Sequence, residues 1–244
     1  MLQDGRATTG LFITGTDTDV GKTYVAALIA RQLVRSGLHV GAYKPACSGA
    51  EKGPDGQPVW NDVTQLCDAI GGFHANDHVC PQRFVAPLAP PVAAQQEGRH
   101  VNTQLLRTGA RWWQGRVDVL LVEGVGGLLC PLTASESVAD LAADLGYPMI
   151  VVARLGLGTI NHTLLTVEAA RNHGLKIAGI VLNEGANVVD DLASATNPPE
   201  IVSRCHCPVL GILRRGAQQV LSLDGEPLDI DWRSLSGDGK IAEL

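Results

Sequence analysis

The chain has 244 residues, a formal net charge of −6, 45% hydrophobic residues and 18% charged ones. That length suits one α/β domain burying about 70–75% of its unfolded surface, and an acidic balance without a basic cluster argues against a nucleic-acid partner. No apolar run approaches the ~18 residues that a membrane span needs, and residues 1–10 lack the basic and apolar regions of an export signal, so neither a membrane partner nor secretion is expected.

The first predicted strand, an apolar run over 11–14, ends at Gly15. Four variable residues and Val20 then lead to Gly21-Lys22-Thr23, which opens an apolar-periodic helix over 22–36 with Gly37 placed as a left-handed cap. This reads as a phosphate loop in its required strand-to-helix setting, with five residues rather than the usual four between Gly15 and the Gly21-Lys22-Thr23 triplet. Its glycines let backbone N–H groups turn toward phosphate oxygens, Lys22 would reach the β- and γ-phosphates, and the Thr23 hydroxyl would ligate Mg²⁺. A second strand over 40–43 ends at Lys44-Pro45, so Lys44 points into the same crevice, and Ser48-Gly49 beyond it could turn around an anion.

Residues 48–61 are rich in Gly, Pro and charge and are expected to form a long loop over the sheet; residues 76–98 hold four prolines and are expected to be irregular. Between these stretches a helix over 62–70 begins with Asp62, which is either a first-turn dipole partner or a third Mg²⁺ contact beside Thr23 and Glu123. A helix over 102–113 precedes the strand over 117–122, which runs into Glu123-Gly124-Val125-Gly126-Gly127. A carboxylate there positions metal or water, and the glycines allow close backbone approach to phosphates.

After a helix over 138–145, a strand over 149–153 leads to Arg154 and a glycine-containing turn, Gly156 to Asn161, at the start of a helix over 160–172 closed by Gly174. That turn suits a carboxylate, whereas His162 reads as a packed or capping residue rather than a base. The strand over 177–182 ends at Asn183, whose amide either reads the adenine edge or closes a turn. A helix over 199–205, with Pro199 in its first turn, and a strand over 209–213 follow. The last twenty residues are Gly- and Asp-rich with an apolar pair, Ile230 and Trp232, and carry no assignable role. The strands are continuous apolar runs, as in a parallel sheet covered on both faces.

Six cysteines at 47, 67, 80, 130, 205 and 207 have no repeated Cys-x-x-Cys spacing and are expected to be reduced thiols in the cytoplasm. Neither His74, His78 and Cys80 nor Cys205-His206-Cys207 offers the ligand set of a structural zinc site.

Taken in order, the segments at 15–23, 43–49 (Tyr-Lys-Pro-Ala-Cys-Ser-Gly), 122–127, 158–162 (Gly-Thr-Ile-Asn-His) and 182–183 resemble the dethiobiotin synthetase family of the biotin pathway. The resemblance implies a single-domain, P-loop NTPase-like α/β fold over 1–244, mostly parallel, with helices on both faces. It implies a homodimeric cyclo-ligase that joins 7,8-diaminononanoate, CO2 or bicarbonate and ATP, with Mg²⁺, through a carbamate and a carbamic-phosphoric mixed anhydride. By position, Lys22 and Lys44 would be catalytic, and Thr23, Asp62 and Glu123 would bind the metal. Asp19, Val20, Gly21, Lys22, Thr23, Tyr24, Asp62, Glu123, Gly124, Val125, Gly126, Asn183, Glu184, Leu213, Arg214 and Arg215 would hold the nucleotide. Thr18, Ser48, Gly158, Thr159 and Asn161 would touch substrate, the last three from the neighbouring subunit.

The chain departs from the family pattern at Val125, usually alanine, and at Leu213-Arg214-Arg215-Gly216, where a proline commonly walls the adenine. Two other classes share the phosphate loop. Amide-forming ATPases such as the cobyrinic acid diamide synthases need a glutaminase domain, for which no room remains. Partitioning-type switches carry a lysine near the start of the loop, where this chain has Thr16 and Asp17.

Overall fold

The computed structural model describes residues 7–72, 74, 76–185 and 192–240. In chain order the elements are β1 (Thr9–Gly15), α1 (Lys22–Arg35), β2 (Val40–Tyr43), β3 (Cys47–Ser48), β4 (Glu51–Lys52), β5 (Pro58–Val59), α2 (Asn61–Ala69), α3 (Asn76–Val79), β6 (Arg83–Phe84) and α4 (Pro90–Gln96). There follow α5 (Thr103–Trp112), β7 (Val119–Glu123), α6 (Val138–Leu145), β8 (Met149–Arg154), α7 (Thr159–Asn172), β9 (Ile177–Asn183), α8 (Leu192–Cys205), β10 (Val209–Leu213), α9 (Trp232–Leu235) and β11 (Gly237–Asp238).

Six strands run parallel in the order β10-β9-β8-β1-β7-β2, and β11 adds an antiparallel seventh beside the start of β1. Leu11, Phe12 and Ile13 of β1 and the whole of β7 are buried, which is why these strands are apolar throughout rather than alternating. Each such Leu, Ile or Phe contributes roughly 1.5–3 kcal/mol on leaving water.

Register, more than composition, positions the chemistry. Ile13 pairs with Glu123 and Tyr43 with Val122, so the phosphate loop, Glu123 and Lys44 leave the sheet at one level of its carboxyl edge. Farther along that edge, Asn183 lies opposite both Arg154 and Leu213. The chain passes from β1 to β2 on one side and reaches β8 on the other, so a crevice opens where the winding reverses.

Four expectations need correction. Residues 76–98 are not irregular. Lys44 donates its backbone N–H to Val79 and Cys47 donates to Gln82, so α3 and β6 are laid along the continuation of β2, and Pro90 starts α4 at a position that needs no N–H. The loop over 48–61 contains the β4–β5 hairpin. Pro199 is not in a first turn but inside α8, which already runs from Leu192; Asn197, Pro198, Ile201 and Cys205 are buried along it, and tertiary packing against α7 overrides the lost N–H donors. Finally, the C-terminal segment has a structural role. Trp232 is 2% exposed and donates its indole N–H to Gln32 of α1 at 2.6 Å, while Ser236 meets Thr9 at 2.8 Å as β11 joins the sheet. The tail therefore braces the helix that carries the phosphate loop.

Candidate active site

A cleft of about 670 Å³ opens at the carboxyl edge, lined on one side by the phosphate loop and on the other by residues of the 47–65 and 87–90 segments. Gly21 caps α1 in the left-handed region, φ 91°, and a Cβ there would lie 2.1 Å from Asn183 Nδ2. Glycine is thus required twice over, by conformation and by space. Asn183 in turn donates to the Val20 carbonyl at 2.9 Å and is buried, so its amide ties β9 to the loop. Lys22 Nζ lies 2.9 Å from the Asp17 carbonyl, inside the loop.

Glu123 organises the floor. Its Oε1 accepts from the Thr23 hydroxyl at 2.7 Å and from the Lys44 ammonium at 2.6 Å, and Lys44 is also paired with Asp62. The side chains of Lys44 and Glu123 are 3% and 1% exposed, that of Asp62 44%. Glu123 Oε2 is buried with no hydrogen-bond partner.

Burial alone would lower the Lys44 pKa, but Glu123 and then Asp62 outweigh it and drive the ammonium above its ordinary 10.5. Burial would raise Asp62, yet Lys44 holds its carboxyl below the usual 3.8. Lys22 is lowered, chiefly because burial exceeds the attraction of Glu123. Burial pushes the Cys47 thiol, on the cleft wall, up to about 11, so it stays protonated at neutral pH.

The other expected residues divide by location. Thr18, Asp19, Tyr24, Ser48, Val125 and Gly126 line the cleft. Val20 is buried behind it. Gly124 serves packing: a Cβ there would come within 2.8 Å of Val138 of α6. Glu184 is a hub, accepting from the Arg215 backbone N–H at 3.0 Å and pairing with Arg214, and both arginines are exposed. Leu213 is fully buried, and its carbonyl accepts from the Glu184 N–H.

Gly158, Thr159 and Asn161 are not among the residues lining the cleft of their own chain. Thr159 is fully buried, with its hydroxyl 3.5 Å from that of Thr163, so it turns away from any ligand at the turn. The imidazole Nδ1 of His162 is buried without a partner. His74 and His78 pack against Trp112, and Cys80 is fully buried.

Sequence reasoning missed the far wall of the cleft, Trp60, Pro87, Leu88, Ala89 and Pro90, and also Cys130 beside Gly126. The density of prolines over 76–98 was the only signal for most of it. No motif marks a residue whose contribution is shape.

Known proteins resemble this chain in sequence and in fold. A family model described as an AAA domain matches residues 9–218. The ATP-dependent dethiobiotin synthetase BioD of Anaeromyxobacter dehalogenans is 48% identical over 204 residues, covering 84% of this chain and 89% of that protein. The chain belongs to the dethiobiotin synthetase family. Another member, BioD of Bacillus subtilis, is 40% identical over 204 residues, 83% of this chain and 86% of its own length. Among solved structures, the septum site-determining protein MinD of Pyrococcus horikoshii, complexed with Mg-ADP, superposes with a TM-score of 0.50 at 19% identity, covering 90% of this chain and 87% of that one. At that identity the likeness concerns the P-loop fold alone.

The linked titration of the floor gives a pH test. A depressed carboxylate adds stability above its unfolded pKa of 3.8 and loses it as pH falls through the folded value. A raised lysine adds stability below 10.5 and loses it only as pH climbs through its higher folded value. With EDTA present, the stability gap between wild type and Asp62→Asn, which keeps the Lys44–Glu123 pair, should stay flat from roughly pH 5 to pH 9 and shrink as pH falls below about 4. Denaturant midpoints across that range measure it; a gap that closes between pH 6 and pH 8 (on the order of a neutral titration) would contradict the assignment.

Proposed function

We infer that the chain is an ATP-dependent dethiobiotin synthetase, a cyclo-ligase that closes a urea ring on 7,8-diaminononanoate with CO2 at the expense of ATP. The observation that carries this reading is the convergence of two buried ammonium groups, Lys22 and Lys44, with Thr23, Asp62 and Glu123 in one cleft. The diamine carbamate is an anion that must attack a more highly charged anion. Two cations aimed at the meeting point offset the repulsion, and orientation contributes much of the rest.

In this reading, the N–H groups around Gly21 and the start of α1 cradle the phosphates, and Lys22 follows the charge on the transferring phosphoryl group. Lys44 holds the carbamate carboxylate so that one oxygen faces the γ-phosphorus. ADP leaves, the mixed anhydride stays against the two lysines, and the second amine attacks its carbonyl carbon. Phosphate is expelled as the ring closes. The apolar wall of Trp60 and Pro87 to Pro90 suits the aliphatic chain and excludes water from the anhydride.

The chemistry of Thr23, Asp62 and Glu123 fits magnesium. All three offer hard oxygen donors, and Glu123 Oε2 is a buried oxygen with no partner. Magnesium bound there would neutralise charge between the β- and γ-phosphates. For the base, the strand ends bearing the buried Asn183, the part-buried Glu184 and the exposed Arg214 and Arg215 are the proposed seat. The reading places the enzyme in the cytoplasm, where its six free thiols stay reduced.

We also place each site at a dimer interface. The Gly156–Asn161 turn presents a helix N-terminus suited to a carboxylate, lies outside its own cleft, and carries Leu157, 80% exposed, with Leu165 61% exposed on the same helix. That geometry supports delivery of the turn to the cleft of a second subunit, where it would take the far carboxylate of the diamine.

Release of ADP should require both the diamine and bicarbonate, and Lys44→Ala should lower turnover by about 10²-fold or more while ATP binding changes little. ADP release that proceeds equally without the diamine would point instead to an ATPase switch. For the shared site, Lys44→Ala and Asn161→Glu should each be nearly inactive alone. Re-equilibrated one to one, half the dimers are hybrids with one intact site of two, so about a quarter of wild-type activity should return. No recovery would mean that each site lies within one chain.

A further inference from the structure

Lys44 serves two masters. Its ammonium sits against Glu123 Oε1 at 2.6 Å and against Asp62, the two carboxylates that, with Thr23, make up the candidate metal-binding set. At 3% exposure it has little solvent contact of its own and depends on these two partners. Glu123 Oε1 already accepts from both Thr23 and Lys44, whereas Oε2 accepts from nothing. A monovalent ammonium therefore satisfies half of a site whose remaining oxygen is still unpaired. Two cations cannot share those oxygens closely, since like charges a few ångströms apart in a partly desolvated cleft repel strongly.

Resting on the assignment of Thr23, Asp62 and Glu123 to magnesium, we propose that Lys44 is an internal stand-in for the metal: the ammonium holds the carboxylates together, and a divalent cation displaces it toward the substrate side of the cleft. The catalytic lysine is thereby released to the carbamate only where the metal that accompanies ATP has arrived. This makes the order of assembly a property of one ion-pair network. A carbamate arriving first finds Lys44 already engaged by two carboxylates, and so finds no free cation on that side of the site. The interlock also removes the cost of holding a buried, uncompensated Glu123 between turnovers.

Linkage makes the claim reciprocal. If the ammonium and the metal compete for the same oxygens, deleting the ammonium must tighten metal binding by the same factor that the metal loosens the ammonium. Manganese(II) is the probe, titrated into nucleotide-free protein and followed by electron paramagnetic resonance of the free ion. Lys44→Met, which keeps the chain length without the charge, should bind Mn²⁺ roughly 5- to 150-fold more tightly than wild type, the usual span of coupling between two sites. Asp62→Asn should bind it more weakly than wild type.

Unchanged or weaker Mn²⁺ binding by Lys44→Met, with Asp62→Asn weakened, overturns the interlock and leaves the metal site standing. Equal binding by Asp62→Asn and wild type overturns the metal assignment itself. Should Lys44→Met fail to fold, wild-type protein supplies the answer through acetic anhydride labelling read by mass spectrometry. Saturating Mn²⁺ should raise the labelling rate of Lys44 about tenfold or more, on the same coupling scale, and an unchanged rate rejects the proposal.

Discussion

A lysine buried between two carboxylates is the constraint around which this site is built. Lys44 could not sit at 3% exposure as a cation without Glu123 and Asp62, and Glu123 could not be 1% exposed as an anion without Lys44. Each charge is tolerable only because the others are fixed beside it. The fixing is done by backbone: Glu123 is the last residue of β7, Lys44 follows the last residue of β2, and Asp62 stands in the first turn of α2. Thr23 reaches the same carboxylate from the first turn of α1. Four elements therefore end on one oxygen cluster, and a shift of any of them would strand a buried charge.

Parallel register turns this local demand into a property of the whole fold. Because β1, β7 and β2 run the same way and are paired residue by residue up to their carboxyl ends, the phosphate loop, the carboxylate and the lysine emerge together. The C-terminal segment, which lies beyond the residues matched by the AAA-domain model, contributes to the same end from behind. Trp232 and Gln32 lock the outer face of α1, and Tyr24 donates to the carbonyl of Ala217, within the matched region, so the helix that follows the loop is held at both ends. Preorganisation of this kind is what phosphoryl transfer asks of a protein, since it leaves little to reorganise as charge migrates.

The parts of this arrangement that were legible in the sequence are those with a local cause. Strand ends carrying Lys44, Glu123 and Asn183 follow from apolar runs broken by Pro45, Gly124 and Glu184, and the phosphate loop follows from the Gly21-Lys22-Thr23 triplet between a strand and a helix. What was illegible has a non-local cause. Nothing in Asn76–Val79 announces that its last carbonyl will receive the N–H of Lys44, and the prolines of α8 read as a helix start because the buried face that carries the helix across them is set by α7. The tail looked idle since its role depends on Gln32, some two hundred residues away. Most telling is Asn183, read as a possible base contact: its amide also closes on Val20, across the strand order, which only the folded sheet brings within reach. Thr159 fell on the other side, its hydroxyl turned inward against Thr163.

The central claim is that this cluster of charges directs a carbamate oxygen onto the γ-phosphorus of ATP, and the fate of that oxygen tests it most directly. Carbon dioxide labelled with oxygen-18, supplied with diamine and MgATP in unlabelled water, places label on both carbamate oxygens. Attack through one of them, followed by ring closure at carbon, leaves one labelled oxygen in the released phosphate and the other in the ring carbonyl. Mass spectrometry of the phosphate should therefore show a single oxygen-18 per molecule formed, in step with ADP. Phosphate free of label, formed while the diamine turns over, would mean that water rather than the carbamate takes the phosphoryl group, and would contradict the account.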